Sequence, residues 1–213
     1  NTSLPVIADG DDGYGNHLNI GRLIRELERA GLAGVHIEDQ VFPKRCGHMA
    51  GKRLVAADAF VQKIKAAVDA RHDSDFTIIA RTDAIAVEGF EQAIERANLY
   101  AEVGADVVFV EAPEDEDQAA AVPGAVTRPA LYNWCYGGKS PLLPAERVAN
   151  MGYKFILFTD ALYAVSKTLI ELYDEIKKNG TYLGYAERML PFDAFNELLD
   201  LDKVAALDDK YRD

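Results

Sequence analysis

The chain has 213 residues, of which 49% are hydrophobic and 27% charged, the profile of an ordinary globular domain. Its formal net charge of −12 argues against a nucleic-acid partner, which would need clustered Lys and Arg. No apolar run approaches the roughly 18 residues needed to cross a bilayer, which argues against a membrane protein.

In chain order, the first apolar run, Pro5-Val-Ile-Ala8, ends in Asp9. An amphipathic helix around Ile20, Leu23, Ile24 and Leu27 closes at Gly31 and leads to Ala33-Gly-Val-His-Ile37, which ends in Glu38 and Asp39. Phe76-Thr-Ile-Ile-Ala80 runs into Arg81 and Asp83. A helix carrying Phe90, Ala93, Ile94 and Ala97 closes at Gly104, and Asp106-Val-Val-Phe-Val110 follows, ending in Glu111. The acidic cluster Glu114 to Asp117 reads as a solvated loop or helix start. A weaker run, Pro129-Ala-Leu-Tyr132, ends at Asn133, and a further helix closes at Gly152 before Tyr153-Lys-Phe-Ile-Leu-Phe158 and Asp160. Residues 161–179 keep helical apolar spacing (Leu162, Val165, Leu169, Leu172, Ile176) up to Gly180, and a last helix is expected near Phe192 to Leu199.

Six short, continuously apolar strands alternating with helices predict a parallel sheet in an α/β fold. A doubly wound sheet and a (β/α)₈ TIM barrel both fit this alternation. Nearly every strand carries an acid, Arg or Asn at its C-terminal end, where barrel enzymes build their sites, and no G-x-G-x-x-G turn follows a strand. The barrel is therefore expected, with two of its eight strands preceding Asn1. The whole of 1–213 reads as one domain, with six βα units over 1–160 and a C-terminal helical extension over 161–213. The first residues lack a signal-peptide layout, and two cysteines, Cys46 and Cys135, suit a reducing cytoplasm.

Four clusters at the strand ends carry chemistry. Ala8-Asp9-Gly10-Asp11-Asp12-Gly13-Tyr14-Gly15 gathers carboxylates on a bendable backbone, a pattern suited to Mg²⁺ or to an ordinary Asp/Gly turn. Glu38-Asp39 on the neighbouring strand strengthens the cation reading. Pro43-Lys44-Arg45-Cys46-Gly47-His48 surrounds a thiol with positive charge, fitting either a nucleophile or a general acid. Arg81, Asp83, Glu111 and Asn133 form the fourth cluster, in which Arg81 fits a substrate carboxylate, neutralises the nearby acids, or does both.

Taken together, Ala8 to Gly15, His36-Ile-Glu-Asp-Gln40, Lys44-Arg-Cys-Gly-His48, Ala80-Arg-Thr-Asp83, Phe109-Val-Glu-Ala-Pro113, Asn133 and Gly137-Gly-Lys-Ser-Pro141 resemble the isocitrate lyase and phosphoenolpyruvate mutase superfamily. The resemblance covers almost the whole chain and is nearest the short, 2-methylisocitrate lyase-like members. It implies a (β/α)₈ barrel whose C-terminal helices are exchanged between subunits, so that a homodimer or homotetramer is expected. It also implies roles. Asp9, Asp11 and Glu38 match ligands of Mg²⁺, with Mn²⁺ an alternative. Cys46, His48, Arg81 and Glu111 match catalytic positions, and Arg81, Asn133, Gly47 and His48 match substrate-binding ones. Asp12 stands where many relatives have Thr, an added negative charge beside the metal ligands.

The activity implied is retro-Claisen cleavage of a 2-hydroxy di- or tricarboxylic acid, such as 2-methylisocitrate or a dimethylmalate, to a 2-oxo acid and a carboxylic acid. The general base is left unassigned. An oxaloacetate decarboxylase or hydrolase on the same scaffold is the alternative. A phosphoenolpyruvate mutase ranks lower because mutases replace the Cys-Gly-His loop, and an inactive barrel fragment serving assembly also ranks lower.

Overall fold

The computed structural model describes residues 2–212; Asn1 and Asp213, the ends of the expected domain range, lie outside the described residues. The chain divides into two compact units, 1–159 and 160–213. In the first, strands β1 (Ile7–Asp9), β2 (Gly34–Glu38), β3 (Thr77–Thr82), β4 (Val107–Val110), β5 (Ala130–Trp134) and β6 (Phe155–Phe158) alternate with helices. The helices are α1 (His17–Arg29), α2 (Ala57–Ala70), α3 (Ile85–Glu88), α4 (Phe90–Glu102), α5 (Glu116–Ala125) and α6 (Ala145–Asn150).

Every strand pairing is parallel, and spatial order follows chain order from β1 to β6. A doubly wound sheet reverses direction at a switch point, whereas a sheet that advances one way is the wall of a barrel. Among the described residues β1 and β6 pair on one side only, so the sheet is an open arc of the six strands expected of this chain.

Alternation along the strands sorts the core into layers. Val35 and Ile37 of β2 and Ile78 of β3 face the helices, packing with Ile20 and Ile24 of α1, Phe60 and Ile64 of α2, and Tyr100 of α4. Farther along the arc, Val108, Val110 and Tyr132 pack with Ala93, Ala97, Val122 and Val148. Ile79, Val107, Phe109 and Leu131 form a separate cluster on the opposite face. Helix ends follow local chemistry. Asn16 caps α1 by accepting from the Leu18 N–H at 2.9 Å, and Gly31 beyond its end takes φ +78°, a conformation few side chains tolerate. Asp115 caps α5, so the acidic cluster is a helix start.

Asp39, fully buried, ties helices to strands. It accepts from the Thr82 hydroxyl (2.7 Å), the Tyr100 hydroxyl (2.8 Å), the Asp83 N–H (3.0 Å) and Arg96 Nη1 (3.3 Å). Arg96 also grips Glu88 through two 2.7 Å bonds and donates to the Val55 carbonyl at 3.0 Å. Asp39 therefore points away from the strand-end carboxylates with which its sequence neighbour Glu38 belongs, because successive strand residues face opposite sides.

The second unit holds α7 (Ala161–Asn179), a 3₁₀ turn (Leu183–Arg188), α8 (Phe192–Leu198) and α9 (Leu201–Tyr211). Within it the Tyr185 hydroxyl donates to the Thr168 carbonyl at 3.3 Å, and Arg188 stacks over the Tyr185 ring at 4.5 Å. Leu162, Val165, Leu169 and Ile170 of α7 are exposed.

Replacing Arg96 with Met strands Asp39 as a buried, undercompensated charge and is expected to cost about 3–5 kcal/mol, measured by urea unfolding. A loss below about 1 kcal/mol would show that Asp39 is not held by this pair.

Candidate active site

The parallel register brings the strand-end residues together. Glu38 lies opposite Arg81, and Asp9 opposite His36, while the Glu38 N–H donates to the Asp11 carbonyl at 2.8 Å and so draws the β1–α1 turn over the end of β2. Asp9, Asp11 and Glu38 then converge on one cation, the ammonium of Lys44. Its Nζ lies 2.5 Å from Asp11 Oδ1, 3.3 Å from Asp9 Oδ2 and 3.4 Å from Glu38 Oε2. Burial works against the charge on Lys44, but these three carboxylates outweigh it and hold the ammonium protonated well above its ordinary range.

The acids themselves differ. Burial would raise Asp9, yet the Asp11 N–H, His36 and Lys44 bring it below its ordinary value. Glu38, wholly buried, is pushed up to about 7 by burial despite the opposing Arg81 charge. Its Oε1 is buried with no hydrogen-bond partner. Among the described residues no three His, Cys, Asp or Glu side chains stand close enough to enclose a metal as they are. The donor set nevertheless fits a hard cation. It consists of three carboxylates already gathered around one positive charge, one of them with a buried oxygen that has no hydrogen-bond partner.

Asp12 does not join them. Its carboxylate lies 3.6 Å from Lys63 Nζ on α2, and the same ammonium donates to its carbonyl at 2.6 Å. The added negative charge expected beside the metal ligands is thus turned away and neutralised.

Arg81 is the second centre. Nε and Nη2 donate to Asp83 at 2.9 and 3.0 Å, Nη1 reaches Glu111 at 3.2 Å, and Glu38 lies 3.5 Å from Nε. The guanidinium also sits over the Phe109 ring at 5.0 Å. Both readings of Arg81 bear on this geometry. It neutralises the acids, and each terminal nitrogen keeps a second N–H beyond those bonds. Glu111 is buried, which works against its charge. Arg81 first, then His48 and Asn133, outweigh that and hold it below the usual carboxylate range. Asn133 Nδ2 reaches both Glu111 oxygens at 3.2 and 3.3 Å, while Asn133 Oδ1 is buried and unpaired.

The segment 41–53 covers these groups. His48 Nε2 lies 3.0 Å from Glu111 Oε1, and His48 Nδ1 accepts the Lys139 N–H at 3.0 Å, which leaves Nε2 as the protonated nitrogen facing Glu111. Gly47 lies so close that a Cβ there would stand 2.4 Å from Glu111 Cγ and 2.6 Å from Arg81 Nη2. Cys46 is exposed on the same segment. Lys52, absent from the sequence reading, is buried beneath, with Nζ donating to the Gly47 carbonyl and lying 3.4 Å from Asp83. The Gly51-Lys52-Arg53 context resembles any solvated loop, so periodicity and motif gave no signal for it. All these groups belong to the first compact unit.

A parallel-strand arc with converging acids at its C-terminal ends, roofed by a Cys-Gly-His segment, defines an α/β enzyme-like site. The chain belongs to the phosphoenolpyruvate phosphomutase family, which it matches over residues 1–176. It is 40% identical over 209 residues to 2,3-dimethylmalate lyase of Eubacterium barkeri, covering 98% of this chain and 72% of that protein. It is 42% identical over 197 residues to 2-methylisocitrate lyase of Aeropyrum pernix, covering 92% of this chain and 63% of the relative. Among solved structures, an oxaloacetate acetylhydrolase bound to 3,3-difluorooxalacetate superposes with a TM-score of 0.90 at 36% identity, covering 97% of this chain and 70% of that one. The chain thus spans about two thirds of the length of these relatives.

Because Glu111 is depressed in the folded protein, its contribution is present above the unfolded carboxylate value and is lost as pH falls through the folded one. Glu111→Gln is expected to lower stability by about 1–3 kcal/mol at neutral pH and to flatten the acid limb of a Tm-against-pH curve. An acid limb as steep as in the wild type would show that Glu111 is not held by Arg81.

Proposed function

We propose that this chain carries the site of a Mg²⁺-dependent carbon–carbon lyase that cleaves a 2-hydroxy di- or tricarboxylic acid, of the 2-methylisocitrate or 2,3-dimethylmalate kind, to a 2-oxo acid and a carboxylic acid. The observation that carries this reading is the convergence of Asp9, Asp11 and Glu38 on a single positive charge beside the Arg81–Glu111–Asn133 cluster, under a segment bearing Cys46 and His48.

Asp9, Asp11 and Glu38 would hold Mg²⁺ or Mn²⁺ once Lys44 turns aside; when bound, the cation supplies positive charge for the substrate's carboxylate and hydroxyl oxygens. The uncommitted N–H groups of Arg81 bind the carboxylate of the half that departs. Cleavage of the C–C bond leaves that half as an enediolate, whose charge Arg81 offsets from a buried, preorganised position. The Cys46 thiol delivers a proton to its carbon, completing the carboxylic acid. Glu111 keeps Arg81 and His48 in place, while Asn133, Gly47 and His48 shape the space around the substrate. The base that takes the hydroxyl proton is unassigned.

An oxaloacetate-cleaving hydrolase or decarboxylase is the second reading, favoured by the likeness to oxaloacetate acetylhydrolase. Completion of the arc to a (β/α)₈ barrel, exchange of the C-terminal helices within a homodimer or homotetramer, and a cytoplasmic setting also belong to the proposal. The two sheet edges and the uncovered share of each relative support the barrel, the exposed apolar residues of α7 support the exchange, and the use of only two cysteines, Cys46 and Cys135, supports the cytoplasmic setting.

A coupled assay for pyruvate and glyoxylate, run on 2-methylisocitrate, 2,3-dimethylmalate, isocitrate and oxaloacetate with Mg²⁺ and then EDTA, tests these readings. Release of a 2-oxo acid from one hydroxy acid, abolished by EDTA, is expected. Pyruvate from oxaloacetate alone would transfer the reading to the decarboxylase, and oxalate from oxaloacetate, measured alongside, would transfer it to the hydrolase. Cys46→Ala is expected to lower kcat by about 10²–10⁴-fold with metal binding intact, and wild-type turnover in it would remove the thiol from the mechanism.

A further inference from the structure

Lys52 has no part in the chemistry above, yet its side chain is 1% exposed, and Lys is almost never buried so deeply without a partner. The ammonium donates to the Gly47 carbonyl and lies 3.4 Å from Asp83 Oδ1. Asp83 in turn holds Arg81 by two hydrogen bonds and is itself fixed through its N–H to Asp39.

The segment that Lys52 grips is a closed loop. Its base is joined by the antiparallel bridge between Gln40 and Leu54 and by the Val41 N–H on the Arg53 carbonyl at 2.8 Å. Inside the loop, the Gln40 side chain accepts the Arg45 N–H at 3.0 Å and donates to the Arg45 carbonyl at 2.8 Å. Two anchors therefore bracket Cys46. Gln40 holds the residue before it, and Lys52 holds the carbonyl of the residue after it. That second carbonyl belongs to Gly47, whose backbone approaches Glu111 and Arg81 too closely to admit a Cβ, so the anchor fixes the height of the loop over the strand ends.

We propose that Lys52 is a positioning residue that fastens the Gly47 carbonyl to Asp83, presenting Cys46 at one height above Arg81. Its effect on the loop follows from these contacts alone, whereas its effect on turnover rests on the lyase reading. A merely charge-neutralising Lys52 would serve Asp83 and leave the loop indifferent to its loss.

Hydrogen exchange by mass spectrometry on the wild type and on Lys52→Met separates the two. In the ligand-free wild type, the Arg45 and Met49 amides within 44–50, which donate to Gln40 Oε1 and the Cys46 carbonyl, are expected to be protected. In the variant they exchange about tenfold faster, with β3 unchanged. kcat falls by about 100-fold while KM and the Mg²⁺ affinity hold. Unchanged exchange in 44–50, or acceleration spread equally through β3 and β4, overturns the anchor. If Lys52→Met does not fold, the wild type decides alone, since unprotected Arg45 and Met49 amides contradict it. Absence of wild-type turnover on every acid, with the exchange change confined to the loop, would remove the lyase reading and leave the anchor standing.

Discussion

Three carboxylates, those of Glu38, Asp83 and Glu111, are buried to within 1% of full enclosure at the ends of adjacent strands, and their mutual repulsion has to be met by opposite charge. Arg81 meets it. One planar guanidinium binds Asp83 with two donors, Glu111 with a third and approaches Glu38, while burial, which would disfavour its own charge, is outweighed by those partners. Removing any one of these groups leaves another buried and undercompensated, so the cluster is a unit rather than a set of pairs. Glu38 shows the limit of what Arg81 supplies. Burial still raises its carboxyl, and the further positive charge of Lys44 stands against that.

The same constraint organises the covering segment. Three of its basic residues reach down to the acids, while Phe42 and Met49 face solvent. Lys44 goes to the Asp9, Asp11 and Glu38 group, His48 to Glu111, and Lys52 to Asp83. A loop of little intrinsic regularity is thereby fastened at three levels by charge-assisted contacts, with Cys46 left exposed among them.

Much of this was legible in the sequence because strand ends are marked by abrupt changes from apolar to charged residues. Asp9, Glu38, Arg81, Glu111 and Asn133 each follow an apolar run, and parallel register then brings them to one side of the sheet. What escaped was side-chain direction and distant pairing. Glu38 and Asp39 read as one acidic pair, but alternation sends Asp39 to Tyr100 and Arg96 on α4, sixty residues farther along the chain. Asp12 read as a charge beside the metal ligands, but Lys63 on α2, a helix not singled out in the sequence, turns it away. α9 follows α8 so closely that one terminal helix was expected where two stand. Lys52 gave no signal, since only three-dimensional burial distinguishes it from neighbouring surface lysines.

The central claim is that Asp9, Asp11 and Glu38 form a divalent-cation site for an acid substrate. Isothermal titration of Mg²⁺ into the wild type and into Glu38→Gln tests it most directly. One site per chain in the wild type, weakened on the order of tenfold or more in the variant, is the predicted result. Equal affinity in both proteins, or no binding to the folded wild type, would contradict it.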